Sequence, residues 1–263
     1  MTSKGIAKMT LAAGAVAMAS SKAAAKVDSA AVDKALNTLK TYDWDANRNE
    51  LNPIDQAINA THGDAAARKA LEKGLVGALA AGISRSAQDY VCRKLRVMGT
   101  DQSIKALAAL LPAEKTSHIA RYALERMPGE NATEALRAAL PKVDSKLKSG
   151  IIGSLGVRRD TKSIKAISKF LGDSDIRVAR AAAHSLALIG TPAAAKELSA
   201  FASKAPANMK MQAADACLIC AEQLLADGEK AEAIALYKGL KDGDQPKHVK
   251  VAAMKGLLAA ATK

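Results

Sequence analysis

Aromatic side chains are scarce in this chain, with one Trp, four Tyr and two Phe among 263 residues. Stacking on bases, sugars or a flat cofactor needs ring faces, and the five Trp and Tyr residues are spread over the whole sequence, which argues against an aromatic-lined pocket. Cysteine is also rare. Cys217-Leu-Ile-Cys220 lacks the following His of a c-type haem attachment, since position 221 is Ala. On a helix an i, i+3 pair holds its Cβ atoms about 5–6 Å apart, too far for an undistorted disulfide, so small buried thiols are expected there and Cys92 is a third, unpaired one. His62, His118, His184 and His248 fall in separate helices or turns with no i, i+4 partner, so no zinc helix forms. Nucleophile elbows, phosphate-cradling Gly loops and dinucleotide fingerprints are absent, and nothing pairs the carboxylates for acid–base work. The chain therefore shows no catalytic constellation, no expected cofactor and no metal site.

What it does have is apolar mass, 49% of all residues. Because rings are few, that mass is Ala, Leu, Ile and Val, which lets short helices approach closely. No strand-like alternation of Val, Ile and Thr interrupts it, and the expected fold is all-α. The stretch 173–206 shows the unit. Ser174 is a candidate N-cap, and Ile176, Ala179, Ala183, Leu186 and Ile189 make one apolar stripe. Gly190 can close that helix in the left-handed region, Thr191 can cap the next, Pro192 suits a first turn, and the second helix runs through Leu198. Neither helix can bury its face alone, so such pairs must stack.

The stack is written in the sequence. Laid on 186–198, residues 95–107 place Met98, Gly99 and Leu107 under Ile189, Gly190 and Leu198. Residues 124–136 repeat this with Met127, Pro128 and Leu136. A fourth copy matches up to Gly156 and then carries extra residues, Val157 to Asp160, before Ile164 and Ile167 resume the stripe. The turns at 99, 128, 156 and 190 are 29, 28 and 34 residues apart, close to the shortest interval that holds two helices and two turns.

Charge and the N-terminus bear on the partner. The net charge of +13 raises an anionic ligand or polymer, nucleic acid or lipid headgroups as partners. Yet residues 1–25 have the three parts of a secretory signal peptide: Lys4 and Lys8, an apolar run at 9–19 too short to span a bilayer, and small residues at 17–19 and 23–25. An Ala-rich first helix and an uncleaved anchor are the other readings. Cleavage after Ala25 removes three lysines and no acid, so +10 of the +13 remains. An exported protein, periplasmic or secreted, does not meet the genome, which disfavours nucleic acid, and the mature chain is not expected to insert into a membrane.

Residues 26–82 are expected to form an N-terminal helical capping unit with helices at 27–41, 53–60 and 64–81. The segment 43–50 begins like a calcium loop but has Arg48 where Gly belongs and Ile54 where the bidentate Glu belongs. A capped turn with Trp44 packed over it as a lid is the favoured reading. The repeat array occupies 83–263, its last elements at 209–226, 229–240 and 249–261.

The repeats resemble HEAT repeats. The runs Tyr42-Asp-Trp-Asp, Asn59 to Asp64, Ser117 to Gly129, Gly153 to Asp160 and Ala214 to Glu222 resemble a group of exported bacterial HEAT-repeat proteins, over roughly residues 36–258. The resemblance implies a right-handed α-solenoid of HEAT-type helix pairs whose concave face binds another protein. The candidate contact surface is basic: Arg158 and Arg159 in the turn, Lys162 and Lys165 after it, and Arg177, Arg180 and His184 on the next helix. A solvated charged face is the plain alternative for these residues. Arg93 and Arg96 can complement their own helix dipole. Two further functional readings follow from the fold family, a nucleic-acid binder related to HEAT-fold DNA glycosylases and a HEAT-fold lyase seating a small cofactor.

Overall fold

A computed structural model describes residues 28–262, and the signal peptide expected at 1–25 lies outside the described residues. Fourteen α-helices follow one another, and no strand occurs among the described residues. They are α1 (Ser29–Thr38), α2 (Asn52–Ala60), α3 (Ala65–Ala80), α4 (Arg85–Met98), α5 (Asp101–Ala109), α6 (Ser117–Leu124) and α7 (Glu130–Ala139). Then come α8 (Ser145–Val157), α9 (Ile164–Ser168), α10 (Ile176–Ile189), α11 (Pro192–Ala202), α12 (Lys210–Ala226), α13 (Lys230–Asp242) and α14 (Lys247–Thr262). The chain is an all-α solenoid of stacked helix pairs.

Two layers result. In the first, α4, α6, α8, α10 and α12 lie side by side, while α3, α5 and α7 and then α9, α11 and α13 form the second. Packing is unbroken across residue 82, since α3 lies on α5 as α5 lies on α7. At the ends α1 covers α2 and α3, and α14 covers α12 and α13. One apolar core runs from Val32 to Ala253, and among the largest fully buried side chains are Leu75, Leu95, Leu107, Leu124, Leu136, Ile151 and Ile152. Each such burial stabilises by about 1.5–3 kcal/mol, so stacking, rather than helix propensity, holds these short helices.

The small-residue composition sets how close the layers come. A Cβ on Gly156 would stand 2.7 Å from the Cα of Ser185, so α8 and α10 touch backbone to backbone at that point. Ser185 then donates its hydroxyl to the Ile152 carbonyl at 2.9 Å. This is why a glycine stands there. It does not close the helix, as the sequence suggested: α8 continues to Val157, and the chain reverses at Arg159, whose φ is +51°. Counted by the residues that cap the second-layer elements, Thr100, Gly129, Asp160 and Thr191, the interval becomes 29, 31 and 31. The irregular fourth copy was a misplaced turn.

Other local rules hold or shift by a residue. Gly190 is left-handed with φ +60°, and Thr191 accepts from the Ala194 N–H as the next cap. Asp175, not Ser174, caps α10, accepting from the Arg177 N–H at 2.9 Å. Between repeats, Glu72 of α3 is 1% exposed and accepts from the Thr100 N–H at 2.7 Å, the Thr100 hydroxyl at 2.9 Å and the Ser103 hydroxyl. A buried carboxylate is tolerated because it caps the positive end of α5.

Candidate binding surface

The turn after α8 ends in two interlocked backbone bonds, Arg159 N–H to the Gly156 carbonyl at 2.9 Å and Asp160 N–H to the Leu155 carbonyl at 3.0 Å. This helix ending normally takes Gly at the left-handed position, as Gly228 does after α12 with φ +88°. Arg159 takes it with a side chain, and that side chain is occupied. Its Nε donates to the Ile189 carbonyl at 3.2 Å, and its guanidinium pairs with the Asp227 carboxylate. The hydrogen bond to Asp227 raises the Arg159 pKa and holds the Asp227 carboxyl below its ordinary value.

Arg158 is committed more fully. Its Nε donates to the Thr133 hydroxyl at 2.7 Å, one Nη to the Leu124 and Met127 carbonyls at 2.7 Å each, and the other to the Gly129 carbonyl at 2.7 Å. The three carbonyls are the orphan acceptors at the end of α6 and the loop behind it. Arg158 therefore closes the preceding repeat, and the fork geometry of guanidinium is what lets one side chain reach them all. Arg158 and Arg159, expected in the contact region, thus spend these donors on the fold.

The remaining candidates divide. Lys162 pairs with Glu130 at 2.8 Å. Arg177 folds back on its own cap, with its Nη 2.7 Å from Asp175, and this bond brings the Asp175 carboxyl down to about 2. Lys165, Arg180 and His184 are exposed and, among the described residues, form no ion pair or side-chain hydrogen bond. The seven do not form one patch. Arg177, Arg180 and His184 stand on α10 in the first layer, whereas Lys162 and Lys165 belong to the second.

A cluster that sequence reasoning missed sits at the N-terminal end. Tyr42, Trp44 and Tyr90, with Arg48, Arg93 and Lys94, line a cleft of about 270 Å³. Residues distant in sequence thus converge in space, correcting the view that the rings are merely dispersed. Trp44 is 75% exposed and is no lid over the turn. The Asp43 carboxylate accepts from the Trp44 N–H at 2.9 Å and the Ser86 hydroxyl at 3.0 Å, and Asn47 caps the short turn Arg48–Leu51, so the ring is not needed to hold the segment. A usable signal existed: Tyr90 and Tyr122 both stand six residues past the caps of α4 and α6, at Ser84 and Thr116.

The cleft's charges are spent on one another. Asp55 receives Arg48 and Lys94 at 2.7 Å each and the Tyr90 hydroxyl at 3.0 Å. Burial pushes the Asp55 carboxyl up, but the bonds from Lys94 and Arg48 outweigh it and leave it below the ordinary range. Arg48 and Lys94 also lie 4.5 and 4.8 Å from the centre of the Tyr90 ring, and burial, then Asp55, raise its phenol. Arg93 pairs with Asp89 at 2.7 Å rather than serving a helix end, and Arg96 lies 4.3 Å from the centre of the Tyr122 ring. At this size the cleft falls below the roughly 300–1,000 Å³ of sites that enclose small molecules.

Nucleophiles and metal ligands offer little else. Cys92, Cys217 and Cys220 are buried free thiols, each pushed up to about 12 by burial. Among the described residues no group of three or more His, Cys, Asp or Glu gathers as metal ligands, and no helix is long and apolar enough to cross a membrane.

The fold and its surface define a helical-repeat solenoid, a class whose members commonly mediate protein interactions. Residues 133–217 match the family of HEAT repeats. No curated protein matches the chain.

Proposed function

We propose that the protein is a non-catalytic scaffold that binds a protein partner outside the cytoplasm through its exposed basic side chains. The observation that carries this reading is the split among the cations. Where a positive side chain serves the fold it is tied to carbonyls or carboxylates, yet Lys165, Arg180 and His184 stay exposed and, among the described residues, unpaired. Unpaired surface cations do little for stability and suit electrostatic recognition. The three-part pattern of residues 1–25 supports export, and the HEAT segment supports a surface-binding role.

The test is the N-terminal mass and cell fraction of the full chain expressed in a bacterial host, followed by binding to duplex DNA over a salt series. Cleavage near Ala19 or Ala25, an extracytoplasmic location and no DNA binding at physiological salt are expected. An intact cytoplasmic chain that binds DNA with a steep salt slope would overturn the proposal in favour of nucleic acid.

A further inference from the structure

The second layer carries a charge row at a fixed register. Its first five elements are capped by Asp64, Thr100, Gly129, Asp160 and Thr191, with the short turn Thr161–Ser163 leading into α9. The fifth residues after these caps are Lys69, Lys105, Glu134, Lys165 and Lys196. All five are exposed, and among the described residues none makes an ion pair or a side-chain hydrogen bond. One turn further along, α3 adds exposed Lys73, and exposed Lys169 caps the end of α9. Four nearby carboxylates are engaged elsewhere: Glu72 caps α5, Asp101 accepts from Asn131 at 2.6 Å, and Glu130 and Asp160 pair with Arg137. The elements are neighbours in order. α3 lies on α5, α5 on α7 and α9 on α11, while the pairs Arg137–Asp160, at 3.0 Å, and Lys162–Glu130 join α7 to the start of the α9 element.

Packed helices stand about 8–10 Å apart, so the row repeats at about that interval. In an extended β-strand successive side chains alternate faces, and residues three apart point opposite ways. In a polyproline II helix, with three residues per turn and 3.1 Å per residue, every third side chain returns to the same face after about 9.3 Å. Four steps of the row then match about 12 residues of such a chain. Single-stranded nucleic acid fits less well, because it is held by stacking as well as charge. The five helices of the row contain one aromatic residue, Phe201, and it is buried.

We infer that this row docks an acidic, proline-rich segment of a partner protein in the polyproline II conformation, with a carboxylate at every third residue and a basic or neutral residue opposite Glu134. The inference rests on the scaffold reading above and names the partner's chemistry. Glu134 sets the register, since a carboxylate placed against it would repel.

Fluorescence anisotropy on the full chain tests this with a labelled peptide, Glu-Pro-Pro-Glu-Pro-Pro-Lys-Pro-Pro-Glu-Pro-Pro-Glu. A permuted peptide of the same composition with its four Glu contiguous and a 13-mer of deoxythymidine serve as competitors. The register peptide is expected to bind at least about fivefold tighter than the permuted one, with affinity falling as salt rises. K105E/K165E/K196E should weaken it about tenfold or more, whereas R126E/K247E/K255E, an equal charge change in the loop after α6 and on α14, should change it less than about threefold. Thermal melts check that both triples remain folded. Glu134→Lys should reverse the preference at the central residue, favouring a peptide with Glu in place of the central Lys. Equal binding of both peptides, or equal loss in both triples, overturns the docking row and leaves the scaffold reading standing. Tighter binding of the oligonucleotide overturns both.

Discussion

Arg158 and Arg159 lie in a turn with their donors spent on the fold, whereas Lys105, Lys165 and Lys196 stand one per repeat with their charges turned to water. Arg158, Arg159 and Lys165 read alike as basic surface in sequence. The difference follows from side-chain chemistry. A guanidinium offers five donors in a planar fork and can satisfy several carbonyls at once, while an ammonium is a strongly hydrated point charge on a flexible stem. At the turn after α8, where a helix end is closed across a repeat boundary, arginine does it, whereas the exposed row on the second layer is built of lysine. A basic face on a repeat protein therefore has to be read after the capping arginines are subtracted.

The largest effect expected from breaking that contrast is at Arg158. Arg158→Ala strips the Leu124, Met127 and Gly129 carbonyls of their shared donor. A loss of about 3 kcal/mol is expected, since several charge-assisted bonds go together and leave half-buried acceptors unpaired. Urea unfolding measures it. Arg158→Lys should recover less than half of the loss, because one ammonium cannot span those acceptors, and binding of the register peptide should be unchanged wherever the variant is folded. Weakened peptide binding at full folding would return Arg158 to the contact surface.

Next in size is Gly156→Ala. The new methyl meets Ser185 at backbone distance, and α8 must shift away from α10. Overpacking of this kind costs about 1–3 kcal/mol. The same shift draws Arg159 from the Ile189 carbonyl, so the variant also probes whether the arginine cap depends on close helix approach. Calorimetry should show a lowered Tm; an unchanged Tm would mean that the α8–α10 contact is looser than its geometry implies.

Much of this was legible in the sequence and some was not. The α10–α11 pair could be read because Gly190, Thr191 and Pro192 punctuate it within three residues, each with its own physical job. Gly156 misled because a glycine serves equally for a left-handed turn and for close packing, and only Ser185, 29 residues on, decides between them. Ser174 and Asp175 both cap well, and sequence alone does not choose. The fate of Arg158 was invisible for a related reason. Apart from the Thr133 hydroxyl, its acceptors lie 29 to 34 residues earlier in the preceding repeat, and they are backbone carbonyls, which carry no residue identity. Trp44 was misjudged by a rule of thumb that buries large rings, although Asp43, Asn47 and Ser86 had already fixed the segment with hydrogen bonds.

A smaller effect separates the two arginines. Arg159 has positive φ, so Arg159→Gly relieves the backbone while losing the side chain's bonds, and Arg159→Ala loses the bonds without relief. Ala should be the more destabilising of the two. The pH dependence carries the sign of Asp227. Its carboxyl lies below the ordinary value in the folded state because of Arg159, so its contribution is fully present above the unfolded carboxyl pKa of about 3.9 and is lost as pH falls through the folded value. Asp227→Asn should flatten the fall of the urea midpoint below about pH 4, and Arg159→Gly should flatten it too. A fall as steep as in the unaltered chain would show the pair to be silent.

The smallest expected change in stability falls on the lysines, and there the comparison becomes sharpest. Lys165→Ala removes an exposed side chain with no partner among the described residues, so unfolding should move by no more than about 0.5 kcal/mol. The salt dependence of peptide binding should nevertheless become shallower, because one fewer charge is screened on the docking face. Arg158→Ala should do the reverse, lowering stability and leaving the salt dependence alone. Stability and recognition would then separate by residue type along one chain, and a Lys165→Ala variant that melts early while binding as before would mean that the row serves the fold after all.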